Sequence, residues 1–198
     1  MLRFQSHIKE HLMPLPHIPG LTDEGPLTWT QVFAIWRTDE GDDSHWGPHA
    51  RERGFPNWEA WRMTYATPLR LPERSWSLYR VDDPIVWVPM FRGGPFGSWI
   101  RKYYRGAPHP SFTTLARHPD IISHDGVLAL RDAFPNETTI TGLLHDEGIV
   151  IVEGMHRCCA IALAAAQGKP LAITLHLALA DARGEMLPPV GQTGTLPA

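Results

Sequence analysis

The chain is 198 residues long, 43% hydrophobic and 20% charged, a composition that predicts a soluble globular protein with one good core and room for a small subdomain. Its 18 basic and 21 acidic residues leave a formal net charge of −3, which argues against DNA as a broad electrostatic partner. The two cysteines, Cys158 and Cys159, are adjacent and read as reduced, near-core thiols of a cytoplasmic protein rather than as a disulfide framework. No apolar run approaches the length of a membrane span, so no membrane is expected as a partner.

Residues 1–27 hold Pro14, Pro16, Pro19, Gly20, Gly25 and Pro26. After an amphipathic stretch over Leu2–Met13 they predict an extended arm draped on the surface. Thr28 then opens a helix carrying Val32, Phe33 and Trp36. A polar loop over 39–43 leads to a helix from Ser44 to Arg53, closed by Gly54. A third helix, Trp58 to Tyr65, is capped by Asn57 and ended by Pro68. Together these predict an N-terminal helical subdomain, residues 1–75. Trp29, Trp36, Trp46, Trp58 and Trp61 all fall in it. Such a set can stack single-stranded bases. Helical spacing beside Phe33 and Phe55 favours a small core instead, and Asp39, Glu40, Asp42 and Asp43 would repel a nucleic-acid backbone.

From Trp76 the chain turns β-rich. Trp76–Arg80 and Ile85–Met90 read as strands split by Asp82-Asp83-Pro84. The loop Arg92–Ser98 reads as a plain turn, since its glycines match no phosphate-loop spacing. Arg101, Lys102 and Arg105 form the most basic patch, on a solvated helix face. Short helices follow around Ser111–Arg117 and Gly126–Phe134. Thr138–Leu144 and Ile149–Val152 form a hairpin across His145–Gly148, with Gly148 at a left-handed turn position. His145, Asp146 and Glu147 at its tip diverge, so no metal site is expected there. A helix over 155–167, closed by Gly168, precedes an apolar strand, Leu171–Leu179. The tail, residues 183–198, is rich in Pro and Gly and predicts loose order.

The stretch Gly148–Ala160 organises the whole. Four β-branched residues, Ile149 to Val152, make a buried strand. Glu153-Gly154 ends it, and small helix-forming residues follow. A strand entering a helix across a glycine aims free N–H groups and the positive end of the helix dipole at one point, which is an anion site. Gly154 and Met155 supply backbone, and His156 and Arg157 in the first turn supply donors to phosphate oxygens. Glu153 stands beside this point as a carboxylate able to act as base or to hold Mg²⁺ against a phosphate.

Glu153-Gly154-Met155-His156-Arg157-Cys158-Cys159-Ala160 resembles the signature of the ParB/sulfiredoxin-like superfamily. Gly154, Arg157 and Ala160 match its Gly-x-x-Arg-x-x-Ala form, and Gly154, His156 and Arg157 match its Gly-x-His-Arg form. The resemblance covers roughly the second half of the chain. It implies an α+β (α/β) fold: a small mixed sheet with flanking helices over residues 76–182, preceded by the helical subdomain. It also implies a nucleotide or a phosphorylated small molecule as ligand, with ATP, ADP or CTP and Mg²⁺ as cofactor. A nucleotide-dependent phosphotransferase or phosphohydrolase would then use Glu153 and His156 as catalytic residues. Gly154, Met155, His156 and Arg157 would bind the phosphate. Sulfiredoxins carry their reactive cysteine directly before the His-Arg pair, and Met155 stands there instead, so sulfiredoxin chemistry is not expected. The alternative is a non-catalytic binding module for a protein or nucleic-acid partner, as in partition-type proteins.

Overall fold

The computed structural model describes residues 15–40 and 43–191, with the backbone alone at 43–45. The stretch Leu2–Met13, the loop residues Gly41 and Asp42, the side chains of Asp43 and Ser44, and residues 192–198 lie outside it.

Five strands form one mixed sheet in the order β1-β2-β5-β3-β4. They are β1 Leu21–Leu27, β2 Trp76–Val81, β3 Glu137–His145, β4 Gly148–Glu153 and β5 Thr174–Asp181. All neighbours are antiparallel except β3 and β5, which run parallel. The architecture is therefore α+β, as the sequence predicts.

The sheet is covered on both faces, and side-chain alternation shows how. Leu175, Leu177 and Leu179 of β5 point to one face, and Ala178 and Ala180 to the other. Likewise Ile149 and Ile151 of β4 face one layer while Val150 and Val152 face the opposite one. This is why the four β-branched residues in a row are all buried.

On the leucine face lie α4 Pro84–Trp87, α5 Gly97–Tyr103, α6 Phe112–Leu115, α7 Pro119–Ile122, α8 Asp125–Asp132 and α9 Met155–Ala166. Residues 157–164 of α9 are all buried, because α9 is wedged between the sheet and α4, α6 and α8. On the alanine face lie α1 Trp29–Asp39, α2 Asp43–Glu52 and α3 Trp58–Ala66. Thr28 and Gln31 cap α1 reciprocally, and the Asn57 side chain caps α3. The small alanines of β5 let the tryptophan layer approach closely. Of the five tryptophans expected in a core, Trp36, Trp58 and Trp61 are 1–4% exposed, and Trp29 and Trp46 pack half-buried against them; Trp76 joins the same cluster.

The structure corrects several expectations. Residues 21–27, read as part of a draped arm, form the edge strand β1, which is bulged against β2 at Asp23/Gly25 and carries Pro26. The stretch Ile85–Met90 is not a strand: Asp83 caps α4, whose first residue is Pro84, and a 3₁₀ turn over 88–90 follows. Residues on either side of 75/76 share a core: Val150, Val152, Ala178 and Ala180 of the sheet sit in the same cluster as Trp36, Trp58 and Trp61. The tail is docked as far as Gly191: Leu187 and Val190 are buried, and Val190 exchanges backbone hydrogen bonds of 2.7 and 2.8 Å with Pro95 and Gly97. Ile149, Ile151, Leu163 and Leu175 are buried in the leucine-face core, and Ile173 is half-buried at its rim.

Candidate functional site

β4 ends at Glu153, Gly154 turns the chain with φ of 93°, and α9 starts at Met155 with no side chain capping it. A β-carbon on Gly154 would stand 2.5 Å from Ile140 Cγ2, so the glycine is required by the turn and by the core behind it. The first turn of α9 opens into a cavity of about 560 Å³ between the sheet edge and the helical layer. Glu153, Gly154, Met155, His156 and Arg157 all line it, so the structure brings every sequence-predicted site residue together.

The cavity also draws on residues the motif does not reveal. Trp36, Trp46, Trp61, Tyr65, Phe96 and Trp99 give it an aromatic wall, and Asp39, Glu40, Arg62 and Thr138 add polar groups. The tryptophans thus serve twice, as core and as lining. Within the motif, Glu153 and Arg157 are four apart across the helix start, a spacing that brings opposite charges into contact. No local signal connects either to Asp39, which lies 118 residues from Arg157.

Arg157 is buried and its two terminal nitrogens are fully engaged. Nη2 donates to both Glu153 carboxylate oxygens at 2.5 and 2.6 Å, and Nη1 donates to Asp39 Oδ2 at 2.7 Å and Thr138 Oγ1 at 2.5 Å. The planar fork expected to meet a phosphate is spent on two carboxylates of the protein. Arg62 is engaged through Nε and Nη2. It donates to both Glu40 oxygens at 2.5 Å and stacks 4.3 Å from the Trp61 ring centre, and Glu40 also accepts from Trp58 Nε1 at 2.8 Å.

Burial raises the Glu153 carboxyl to about 7; Arg157 opposes this, and Asp39 and Glu40 reinforce it. Asp39 and Glu40 with Glu153 put three carboxylates beside two guanidiniums, the arrangement that together with burial raises this carboxyl. His156 keeps an exposed edge but packs against Trp99 at 5.2 Å and His124 at 4.7 Å between ring centres. Desolvation and the neighbouring His124 push its imidazole below the usual value. Its donor strength therefore does not rise near neutral pH, contrary to the expectation for a phosphate ligand. Met155 is plugged under the 91–97 loop, its sulfur accepting from Gly94 N–H at 3.4 Å. Tyr104 closes the same loop, donating to the Gly94 carbonyl at 2.6 Å. Cys158 and Cys159 are fully buried, and burial pushes both thiols up, away from the reactive thiolate.

The donor set does not fit the Mg²⁺ that the resemblance implies. Both Glu153 oxygens are held by Arg157, and among the described residues no three acidic, imidazole or thiol side chains stand together as ligands. At the hairpin tip, His145 contacts the Glu185 carbonyl and Asp146 accepts from Gly184 N–H, so both side chains hold the tail. Among the described residues no helix is long and apolar enough to cross a membrane. Compared with protein-family models, curated proteins and solved structures, the chain finds no match.

Proposed function

We propose that the protein binds a small ring-bearing molecule of the nucleoside or nucleotide class in the cavity at the α9 N-terminus. The single observation that carries this reading is the cavity itself. It joins an aromatic wall to the uncapped first turn of a twelve-residue helix, with Glu153 between them. The ring of the ligand lies against the aromatic side chains, and a phosphate end, where there is one, meets the helix N–H groups. The likeness of residues 153–160 to the ParB/sulfiredoxin-like signature supports the same class of ligand. A carboxyl near 7 can give or take a proton at neutral pH. Glu153 is therefore the residue we assign to any phosphoryl transfer or hydrolysis, with Arg157 positioning it.

Isothermal titration against a panel of nucleosides and nucleotides, run beside a phosphate-release assay, tests this. Saturable binding is expected for at least one member. Ser98 lies exposed on the cavity rim, so Ser98→Trp should weaken that binding by about tenfold or more. Arg101→Ala, on the exposed side of α5, should leave it unchanged. Phosphate release with binding marks an enzyme, and binding without release marks a binding module. Absence of binding across the panel overturns the reading.

A further inference from the structure

The sign of the surface changes beside the cavity. Over residues 84–119 the chain carries Arg92, Arg101, Lys102, Arg105 and Arg117 and no aspartate or glutamate, within a protein of formal net charge −3. Arg101, Lys102, Arg105 and Arg117 are exposed. The first three belong to α5 or to the turn that follows it, and α5 forms part of the cavity rim. Ser98 and Trp99 line the opening, and the Trp99 ring packs 5.2 Å from that of His156 in the first turn of α9. Arg101 and Lys102 lie three and four residues beyond Ser98, which places them on its side of the helix, about 5 Å further along. Arg105 follows in a left-handed turn with φ of 49°, closed by Ala107 N–H donating to the Tyr104 carbonyl at 3.0 Å. Lys102 Nζ rests 5.0 Å from the centre of the Tyr103 ring, which also meets His118 at 5.3 Å, so the cationic track continues towards Arg117. Asp120, on α7, is a carboxylate whose charge reaches Lys102. Screening over about 8–10 Å at physiological salt lets such a local track act despite the negative total.

Resting on the reading above, we infer that the ligand is one nucleotide of a single-stranded nucleic acid, its base in the cavity and the strand's phosphates running from the α9 N-terminus along α5. A free mononucleotide ends at the cavity mouth and leaves these cations unused. Exposed arginines offer phosphates a planar fork, and a base entering a walled cavity must leave its stack, which a single strand permits. An acidic polypeptide would meet the cations without needing the cavity. The test titrates the wild-type chain with single-stranded DNA and RNA oligomers of about ten nucleotides and with the matching 5′-mononucleotides. The oligomer should bind about tenfold tighter or more at low salt, and its advantage should shrink as salt rises. Replacing Arg101, Lys102 and Arg105 together by alanine, with folding checked by the thermal transition, should flatten the logarithmic salt dependence of oligomer binding by about 2 and leave mononucleotide affinity unchanged. Ser98→Trp should weaken oligomer and mononucleotide alike. Equal affinity of oligomer and mononucleotide, an unchanged salt dependence in the triple variant, oligomer binding that survives Ser98→Trp, or polyglutamate binding as tightly as the oligomer overturns this inference. Each leaves the cavity reading standing where mononucleotides bind. Failure of every nucleotide and oligomer to bind removes both.

Discussion

Arg157 gathers groups from three elements onto one guanidinium: Asp39 from α1, Thr138 from β3 and Glu153 from β4. Such a buried cluster is costly unless each charge is met. Here three carboxylates stand beside two guanidiniums, and burial with the neighbouring carboxylates raises the Glu153 carboxyl. That has a consequence for stability. The ordinary carboxyl value of 4.5 is raised to about 7 in the folded chain. The folded state thus holds a proton that the unfolded chain releases, and this contribution is fully present below about pH 4.5 and is lost as pH rises through about 7. Its size is at most about 3 kcal/mol. His156, lowered on folding, titrates with the opposite sign, so the wild-type curve alone mixes the two. The difference between wild type and Glu153→Gln isolates the carboxyl. Denaturation at several values between about pH 5 and pH 8 should show wild type losing stability relative to the variant as pH rises. A flat difference would mean that Arg157 keeps Glu153 ionised throughout.

At the scale of elements, the unit β4–Gly154–α9 was legible in the sequence because each part obeys a local rule. Its strand is β-branched, its turn is a glycine and its helix is rich in small residues. The hairpin before it and the caps of α1 and α3 were legible for the same reason. The stretch 84–90 was not, since Ile85, Val86 and Val88 favour a strand while Asp83-Pro84 starts a helix, and packing against α9 decided it. Gly154 shows the limit most clearly. Its glycine is legible as a turn, yet the tertiary neighbour that excludes a β-carbon there is Ile140, which no local pattern could identify. Two glycines therefore separate conformation from contact. Gly168 also has positive φ, 64°, but a β-carbon there meets no atom within 4 Å. Gly168→Ala should cost about 1 kcal/mol from the backbone alone. Gly154→Ala adds the clash with Ile140 and should cost about 2–3 kcal/mol in urea denaturation. Equal losses would show that Ile140 moves aside freely.

Across the whole molecule, the sheet is a shared wall. Its leucine face supports α4 to α9, and its alanine face supports the tryptophan layer. Composition shifts near residue 75 suggested two units because helices crowd the first part of the chain and strands the second. Composition does not reveal that β1, from the first part, pairs along β2, or that buried Trp36 Nε1 donates to Thr141 Oγ1 at 2.8 Å across the layers. The cavity exists only where those layers meet, with Asp39, Glu40 and Arg62 from one and Glu153 to Arg157 from the other. A chain whose site and core both straddle the supposed boundary should unfold as one. Tryptophan fluorescence reports mainly the helical layer, since Trp29, Trp36, Trp46, Trp58, Trp61 and Trp76 pack there. Far-ultraviolet dichroism reports helices and sheet together. The two should give coincident denaturant transitions, as two-state unfolding requires. A fragment beginning at Trp76 should lack a cooperative transition, because its alanine face and the free edge of β2 would be bare. Separate transitions in the full chain, or a cooperatively folded fragment, would show that the sheet and its leucine-face helices are stable without the tryptophan layer, and the cavity would then depend on docking between two independent parts.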